Sequence, residues 1–334
     1  MKIVLDAMGG DLAPEAPVQG ALEVLKEFDS NLKIILVGDE AKITPLVGNS
    51  IPDGIQIYPT TEIVTMDDRS SKVLKTKPDS SLVRGIELVK DGTGDAFISA
   101  GHTGAIMATT VFLLGRINHV KRPALGAYIP SQQGGKILCD VGANPNAKPR
   151  HLLQFAIMAG LYLEHIEGIK NPKIGLVNIG VEPNKGTDLY IEAHQLLSKE
   201  LPNFIGNIEG RNIFSSEANV IVCDGFVGNT LLKFAEGWIS TFGSLIKEKI
   251  NEKLAYRLGA VLLKPALDNI RYQYDYEEQG GTPLLGVNGI SIVAHGSSGP
   301  KAFKNSIFLA QKCVHKKLIS DISNGIGEHL GGIS

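Results

Sequence analysis

KIVLDAMGGD (residues 2–11) is a short apolar run that empties into a loop of Asp and Gly. The pattern recurs in DAFISAGHTGA (95–105), KILCDVGAN (136–144), KIGLVNIG (173–180), NVIVCDGFVGN (219–229) and ISIVAHGSSG (290–299). Short runs rich in Ile and Val read as strands buried on both faces, the signature of a parallel sheet. Parallel strands carry their ligand sites beyond their carboxyl ends, so six Gly-rich exits predict one crowded site. Gly lets backbone N–H groups approach closely, and N–H groups at helix starts favour an anion. The expected ligand is negatively charged.

Working outward, helical patterns alternate with these strands. Val18, Ala21, Leu22, Leu25 and Phe28 share one helical face. Leu82, Val83, Ile86 and Val89 do the same after the start signal Pro78-Asp79-Ser80-Ser81. Segments 105–114 and 152–163 are apolar nearly all round and are expected to be buried helices. The alternation predicts a three-layer α/β/α fold with a mostly parallel sheet. With 334 residues and 43% hydrophobic content, the chain is expected to form one α/β unit (1–334), at most two lobes sharing a cleft. The loops CD-VGAN (139–144) and CD-GFVGN (223–229) resemble each other, as two related halves would. From Gly228 to Arg271 no strand signal occurs, and a helical hairpin is predicted with interruptions near Gly259 and Pro265.

A formal net charge of −2 gives no global attraction to nucleic acid, so no nucleic-acid partner is expected. The three Cys, at 139, 223 and 313, form no CxxC and read as reduced thiols of a cytoplasmic protein. MKIVLDAMGGD runs straight into a strand, so no signal peptide is expected, and no apolar run is long enough to span a bilayer.

The chemistry narrows by elimination. No GxGxxG joins a strand to a helix, GVEPNKGT (180–187) has Lys and Gly in the wrong order for a P-loop, and no GxSxG appears. Cys223 has Asp224 beside it, which disfavours a thiolate. What remains is a set of N–H, hydroxyl and amide donors with Lys185. Phosphate is itself a nucleophile, so acyl transfer to it needs no Ser or Cys. It needs positioning and charge stabilisation, where one oxyanion donor is worth roughly 3–4 kcal/mol.

The runs DAMGGD (6–11), SAGxTGA (99–105), DVGAN (140–144) with AKPxHL (147–152), NIGxExxKG (178–186), DGFVGN (224–229) and AHGSS (294–298) make the chain similar to the bacterial phosphate acyltransferase family. The resemblance extends in order from residue 1 to about 315. It implies an α/β/α fold akin to isocitrate and isopropylmalate dehydrogenases and phosphotransacetylase, usually a homodimer without cofactor. It implies transfer of a fatty acyl group from acyl–acyl carrier protein to inorganic phosphate, giving acyl phosphate for phosphatidic acid. It also implies peripheral association with the inner face of the cell membrane, beside a membrane-bound glycerol-3-phosphate acyltransferase. His102 stands where the pattern has Asn, and Gly299-Pro300 follows HGSS where a polar residue is usual.

Lys185, Asn229 and His295 are the candidate catalytic residues. Candidate phosphate and acyl ligands are Asp6, Gly9, Gly10 and Asp11; Gly101, His102, Thr103 and Gly104; and Asp140 and Asn144. They continue with Asn178, Gly180, Glu182 and Gly186; Asp224, Gly225 and Gly228; and Gly296, Ser297 and Ser298. Each has an ordinary alternative: the Asp residues cap helices, the Asn residues form turns, Lys185 is a solvated loop side chain. A rival chemistry, a metal-assisted dehydrogenase, would use Asp140 and Asp224 as ligands; the expected site has no metal. A second rival is a non-catalytic carrier-protein or membrane scaffold. Arg69, Lys72, Lys75 and Lys77 form a basic run suited to a solvated face or an acidic carrier protein. In the hairpin, Leu231, Leu232, Ala235, Trp238, Ile239, Phe242, Leu245 and Ile246 suit core packing or a dimer interface. The tip, near 250–264, mixes apolar residues with Lys and Arg as a membrane surface requires.

Overall fold

The computed structural model describes residues 1–27, 31–48, 50–129, 135–274 and 276–330, and Phe28 lies outside them. Among these residues eleven strands join one sheet. They are β1 (Lys2–Asp6), β2 (Lys33–Gly38), β3 (Ile55–Pro59), β4 (Ala96–Ser99), β5 (Ala124–Ile129), β6 (Lys136–Cys139), β7 (Ile174–Asn178), β8 (Phe204–Glu209), β9 (Val220–Val222), β10 (Thr282–Leu285) and β11 (Ile290–Val293). Across the sheet the order is β3-β2-β1-β4-β11-β10-β5-β6-β9-β7-β8.

Most neighbours are parallel, as the apolar runs predict, but the centre is not. β10 is antiparallel to both β11 and β5, and β5 is antiparallel to β6. The strands β6, β9, β7 and β8 therefore run opposite to β1, β2, β3, β4 and β11. This reversal governs where the loops go.

Side chains alternate between faces along each strand. In β1, Ile3 and Leu5 join one apolar layer while Val4 joins the other. The first layer is covered by helices Glu15–Glu27, Glu40–Val47, Pro149–Tyr162, Asp188–Glu200, Pro300–His315 and Leu318–Leu330. The second is covered by Ser81–Lys90, Thr103–Leu114 and the start of Gly225–Glu252. Ser80 caps the Ser81–Lys90 helix by accepting from Val83 N–H, as its sequence predicts.

The expectation of two fully buried helices holds for one. Pro149–Tyr162 is buried on nearly every side, whereas Thr103–Leu114 sinks only Ala105, Ile106, Thr109 and Thr110 and leaves Phe112 76% exposed. Composition registers apolarity, not which side the sheet covers.

The hairpin begins earlier than predicted, at Gly225, and its break is at Lys253 instead of Gly259 or Pro265. Its arms are Gly225–Glu252 and Leu254–Tyr274. Pro265 lies inside the second arm. Leu231 and Leu232 pack on the sheet, but Phe234, Trp238, Ile239, Phe242, Leu258 and Val261 are exposed, so core packing ends within three turns. No helix among the described residues is long and apolar enough to cross a membrane.

Candidate active site

The six exits form two clusters, because the sheet reverses between them. The first gathers the loops after β1, β4 and β11. Asp6, buried, accepts from Met8 N–H (3.0 Å) and from Ser99 Oγ (2.7 Å), and Ser99 Oγ in turn accepts from Gly101 N–H (3.0 Å). Burial raises the Asp6 carboxyl above its ordinary value, and bonds from Ser81, Ser99 and the turn N–H groups oppose that. A Cβ on Gly9 would sit 2.6 Å from Asp6 Oδ2, so this turn admits only Gly. Gly10 has φ +107°, and Asp11 N–H donates to Gly296 O (2.7 Å), tying the first loop to the last.

His102 caps helix Thr103–Leu114. Its Nδ1 accepts from Gly104 N–H (3.2 Å), and its Nε2 faces Ser70 Oγ at 3.4 Å. It therefore replaces an Asn as an acceptor, the usual N-cap role. Thr103 is exposed beside it. His295 Nδ1 lies 2.8 Å from Ser297 Oγ, and its Nε2 lies 3.1 Å from Lys233 Nζ and 3.8 Å from Glu236. The Ser298 hydroxyl is buried without a partner among the described residues. Gly299 and Pro300 start the next helix, with Pro at its first turn and Glu277 accepting the Gly299 N–H (3.0 Å).

The second cluster gathers the loops after β6, β7 and β9. Asp140 Oδ1 accepts from Leu125 and Ala143 N–H, and Oδ2 accepts from Asn144 N–H (2.6 Å) and Asn144 Nδ2 (3.0 Å). Asn144 Nδ2 also donates to Pro123 O (2.7 Å). Asp224 caps helix Gly225–Glu252, Oδ1 accepting from Phe226 and Val227 N–H and Oδ2 from Tyr190 Oη (2.6 Å). Burial, then this bond, pushes the Tyr190 phenol up. Both carboxylates thus spend their oxygens on the chain's own donors, which is a fastening role and not a metal-ligand geometry. Asn178 is used the same way, donating to Lys185 O and accepting from Ile179 N–H.

The two similar loops are neighbours: β6 and β9 pair in parallel and their exits press together. A Cβ on Gly225 would lie 2.8 Å from Asn144 N, and one on Gly228 only 1.9 Å from Asp140 O. These two glycines let the helix seat on the 140–144 loop. Asn229 then stands exposed beside Gly142.

Lys185 is exposed, forms no ion pair among the described residues, and follows Gly180 and Glu182 in a turn closed by its N–H to Glu182 O. Gly186 (φ +95°) packs on Asn178. Cys139 and Cys223 are fully buried, and burial, then Asp140, pushes both thiols well up. Neither is poised as a nucleophile.

About 13 Å of helix separates Asp224 from Lys233, and so spans the two clusters. Lys233, Glu236 and Tyr190 are not among the sequence candidates. Lys233 falls one turn beyond Asn229 on the same helical face, a spacing that singles it out once the helix is recognised. Of the basic run, Lys77 is taken by Asp68 (2.8 Å).

The fold is shared with two phosphotransacylases. A phosphotransacetylase from Streptococcus pyogenes superposes with TM-score 0.59 over 93% of this chain and 94% of its own, at 20% identity. A branched-chain phosphotransacylase from Enterococcus faecalis V583 gives TM-score 0.58 over 94% and 99%, at 14% identity. A family described as "Fatty acid synthesis protein" matches residues 1–321. A phosphate acyltransferase from Desulfitobacterium hafniense (strain DSM 10664 / DCB-2) is 49% identical over 96% of both chains. One from Heliobacterium modesticaldum is 46% identical over 99% of this chain and 98% of its own. The chain belongs to the phosphate acyltransferase family, and it is an acyltransferase.

Proposed function

We propose that the chain takes a fatty acyl group from acyl–acyl carrier protein and passes it directly to inorganic phosphate. A phosphate oxygen bonds to the thioester carbonyl carbon, the C–S bond breaks, and the carrier thiolate leaves and takes a proton. The observation that carries this reading is the second cluster's division of labour. Its carboxylates are consumed inside the fold, leaving Lys185 as a cation unpaired among the described residues, with the Asn229 amide exposed in the same loop cluster. Lys185 neutralises phosphate and Asn229 donates to the developing oxyanion. A thioester lying along the first turns of helix Gly225–Glu252 presents its sulfur towards His295, which supplies the proton. The inaccessible thiols support transfer without an acyl-enzyme.

The test is a hydroxamate trap for acyl phosphate, run with acyl–acyl carrier protein with and without phosphate. Product only with phosphate is expected. An acylated protein detected by mass spectrometry in the absence of phosphate would refute direct transfer.

The exposed apolar arm 234–246 supports a homodimer, and the tip, where Leu258, Val261 and Leu262 stand beside Arg257 and Lys264, supports weak contact with anionic lipid. That contact would put acyl phosphate at the membrane for a glycerol-3-phosphate acyltransferase. Flotation with anionic vesicles tests it: wild type floats and Leu258→Glu/Val261→Glu does not.

A further inference from the structure

From Ala96 to Leu163 the sequence holds a single carboxylate, Asp140, and it is buried. In the same stretch Arg116, Lys121, Arg122, Lys148 and Arg150 are all exposed. None makes an ion pair with the described residues, although the chain as a whole has slightly more acids than bases.

Folding brings the five together from two segments. The end of helix Thr103–Leu114 continues into 115–122, where Val111, Phe112 and Ile117 wall a hollow of about 720 Å³ bordered by Arg116 and Lys121. Lys121 also lines the adjoining hollow with Lys148, Arg150 and His151. His151 records the crowding: its pKa is lowered by burial first, then by Arg122 and Lys148. Like charges gathered without partners cost stability in the free protein and raise the local concentration of anions. Phe112, the aromatic of that helix, stands exposed at the rim.

The patch adjoins the second loop cluster. Asn144 ties the 121–123 segment to the 140–144 loop through Pro123 O, and that loop seats the helix bearing Asn229. The AKPxHL run, which no site role absorbs, supplies Lys148 and His151.

We propose that this surface docks the carrier protein: an acidic protein face covers Lys121, Arg122, Lys148 and Arg150, and apolar side chains within it meet Phe112. The proposal rests on the reading of the donor as a carrier-protein thioester. The rival run 69–77 directly follows Asp67 and Asp68, and Lys77 is already paired with Asp68. A membrane fits this patch less well than a protein does, because the patch is hollowed and lies away from the apolar hairpin tip in sequence and in its packing partners.

The experiment compares acyl–acyl carrier protein with acyl-pantetheine, which has the same thioester and no protein. The variants are Lys121→Glu/Arg122→Glu, Lys148→Glu/Arg150→Glu, and the control Arg69→Glu/Lys72→Glu/Lys75→Glu. Each patch variant is expected to raise KM for the carrier substrate about tenfold or more, with turnover of acyl-pantetheine unchanged and the control unaffected. In the wild type, that KM rises with salt. Unchanged KM in both patch variants, or a rise confined to the control, overturns the proposal. So does loss of anionic-vesicle binding with carrier kinetics intact, which assigns the patch to lipid. A wild type that uses acyl-pantetheine but not the carrier substrate refutes the donor reading itself, and is told apart because no variant is needed to see it.

Discussion

In the loop cluster after β1, β4 and β11, one buried carboxylate, Asp6, organises the turn, and the exposed groups around it are already coupled: His295 to Lys233 and Ser297, His102 to Gly104 N–H. In the cluster after β6, β7 and β9, two carboxylates and two amides are locked inside, and the Lys185 and Asn229 side chains are left uncoupled among the described residues. Acidic residues that look like ligands in sequence are the mortar of both clusters. The chemistry falls to what the mortar holds in place. On the proposed reading, that difference gives the anion to the second cluster and the proton to the first.

The largest expected effect is at the join. Gly228→Ala places a methyl 1.9 Å from Asp140 O, where only backbone movement relieves it. Unfolding by urea should show a loss of about 3 kcal/mol, the upper end for overpacking, with activity falling alongside. A variant as stable as wild type would mean that the helix does not seat on the 140–144 loop.

Next is Lys185→Ala. It should raise the phosphate KM roughly ten- to hundredfold, the equivalent of about 1.5–3 kcal/mol for a charge-assisted contact, without shifting the melting curve. His295→Gln should instead lower kcat and leave the phosphate KM unchanged. If both variants act on the same parameter, the two clusters are not functionally divided.

Smaller is the cap at 102. His102→Ala should cost about 1 kcal/mol, and His102→Asn almost nothing, since Asn is among the best N-cap acceptors. Equal losses from both substitutions would show that the contact with Ser70, and not the cap, is what matters.

The last expected effect is one of sign with pH. Asp68 is held down at about 2 by its bonds to Lys77 and Thr65 N–H, so its contribution is present above the ordinary value of 3.8 and is lost as pH falls towards 2. Asp140 is raised by burial, so it binds its proton more readily when folded, and its contribution to stability falls as pH rises from 3.8 through the raised value. Stability–pH curves of Asp68→Asn and Asp140→Asn should therefore flatten on opposite sides of 3.8. Flattening on the same side would mean that the four N–H donors to Asp140 outweigh its burial.

Strand runs such as KIVLD and KILC, the Ser80 cap and the loops DVGAN and DGFVGN were legible because each depends on near neighbours in the chain: period, propensity and turn chemistry. The same locality misplaced the hairpin break at Gly259 and Pro265, through which the helix runs on, and overstated the burial of Thr103–Leu114. Which loops gather was legible too, through motif order. Role was not: whether Asp140 faces a ligand or Asn144 N–H depends on contacts made across the sheet.

By itself the sequence determined a mostly parallel α/β sheet, Gly-rich exits suited to an anion, and thiols unsuited to catalysis, because these follow from residue type and short-range spacing. Only the tertiary structure decided that the exits divide into two clusters. That outcome turns on β10 and β5 running against their neighbours, a matter of long-range strand pairing that leaves no mark on either strand's own residues.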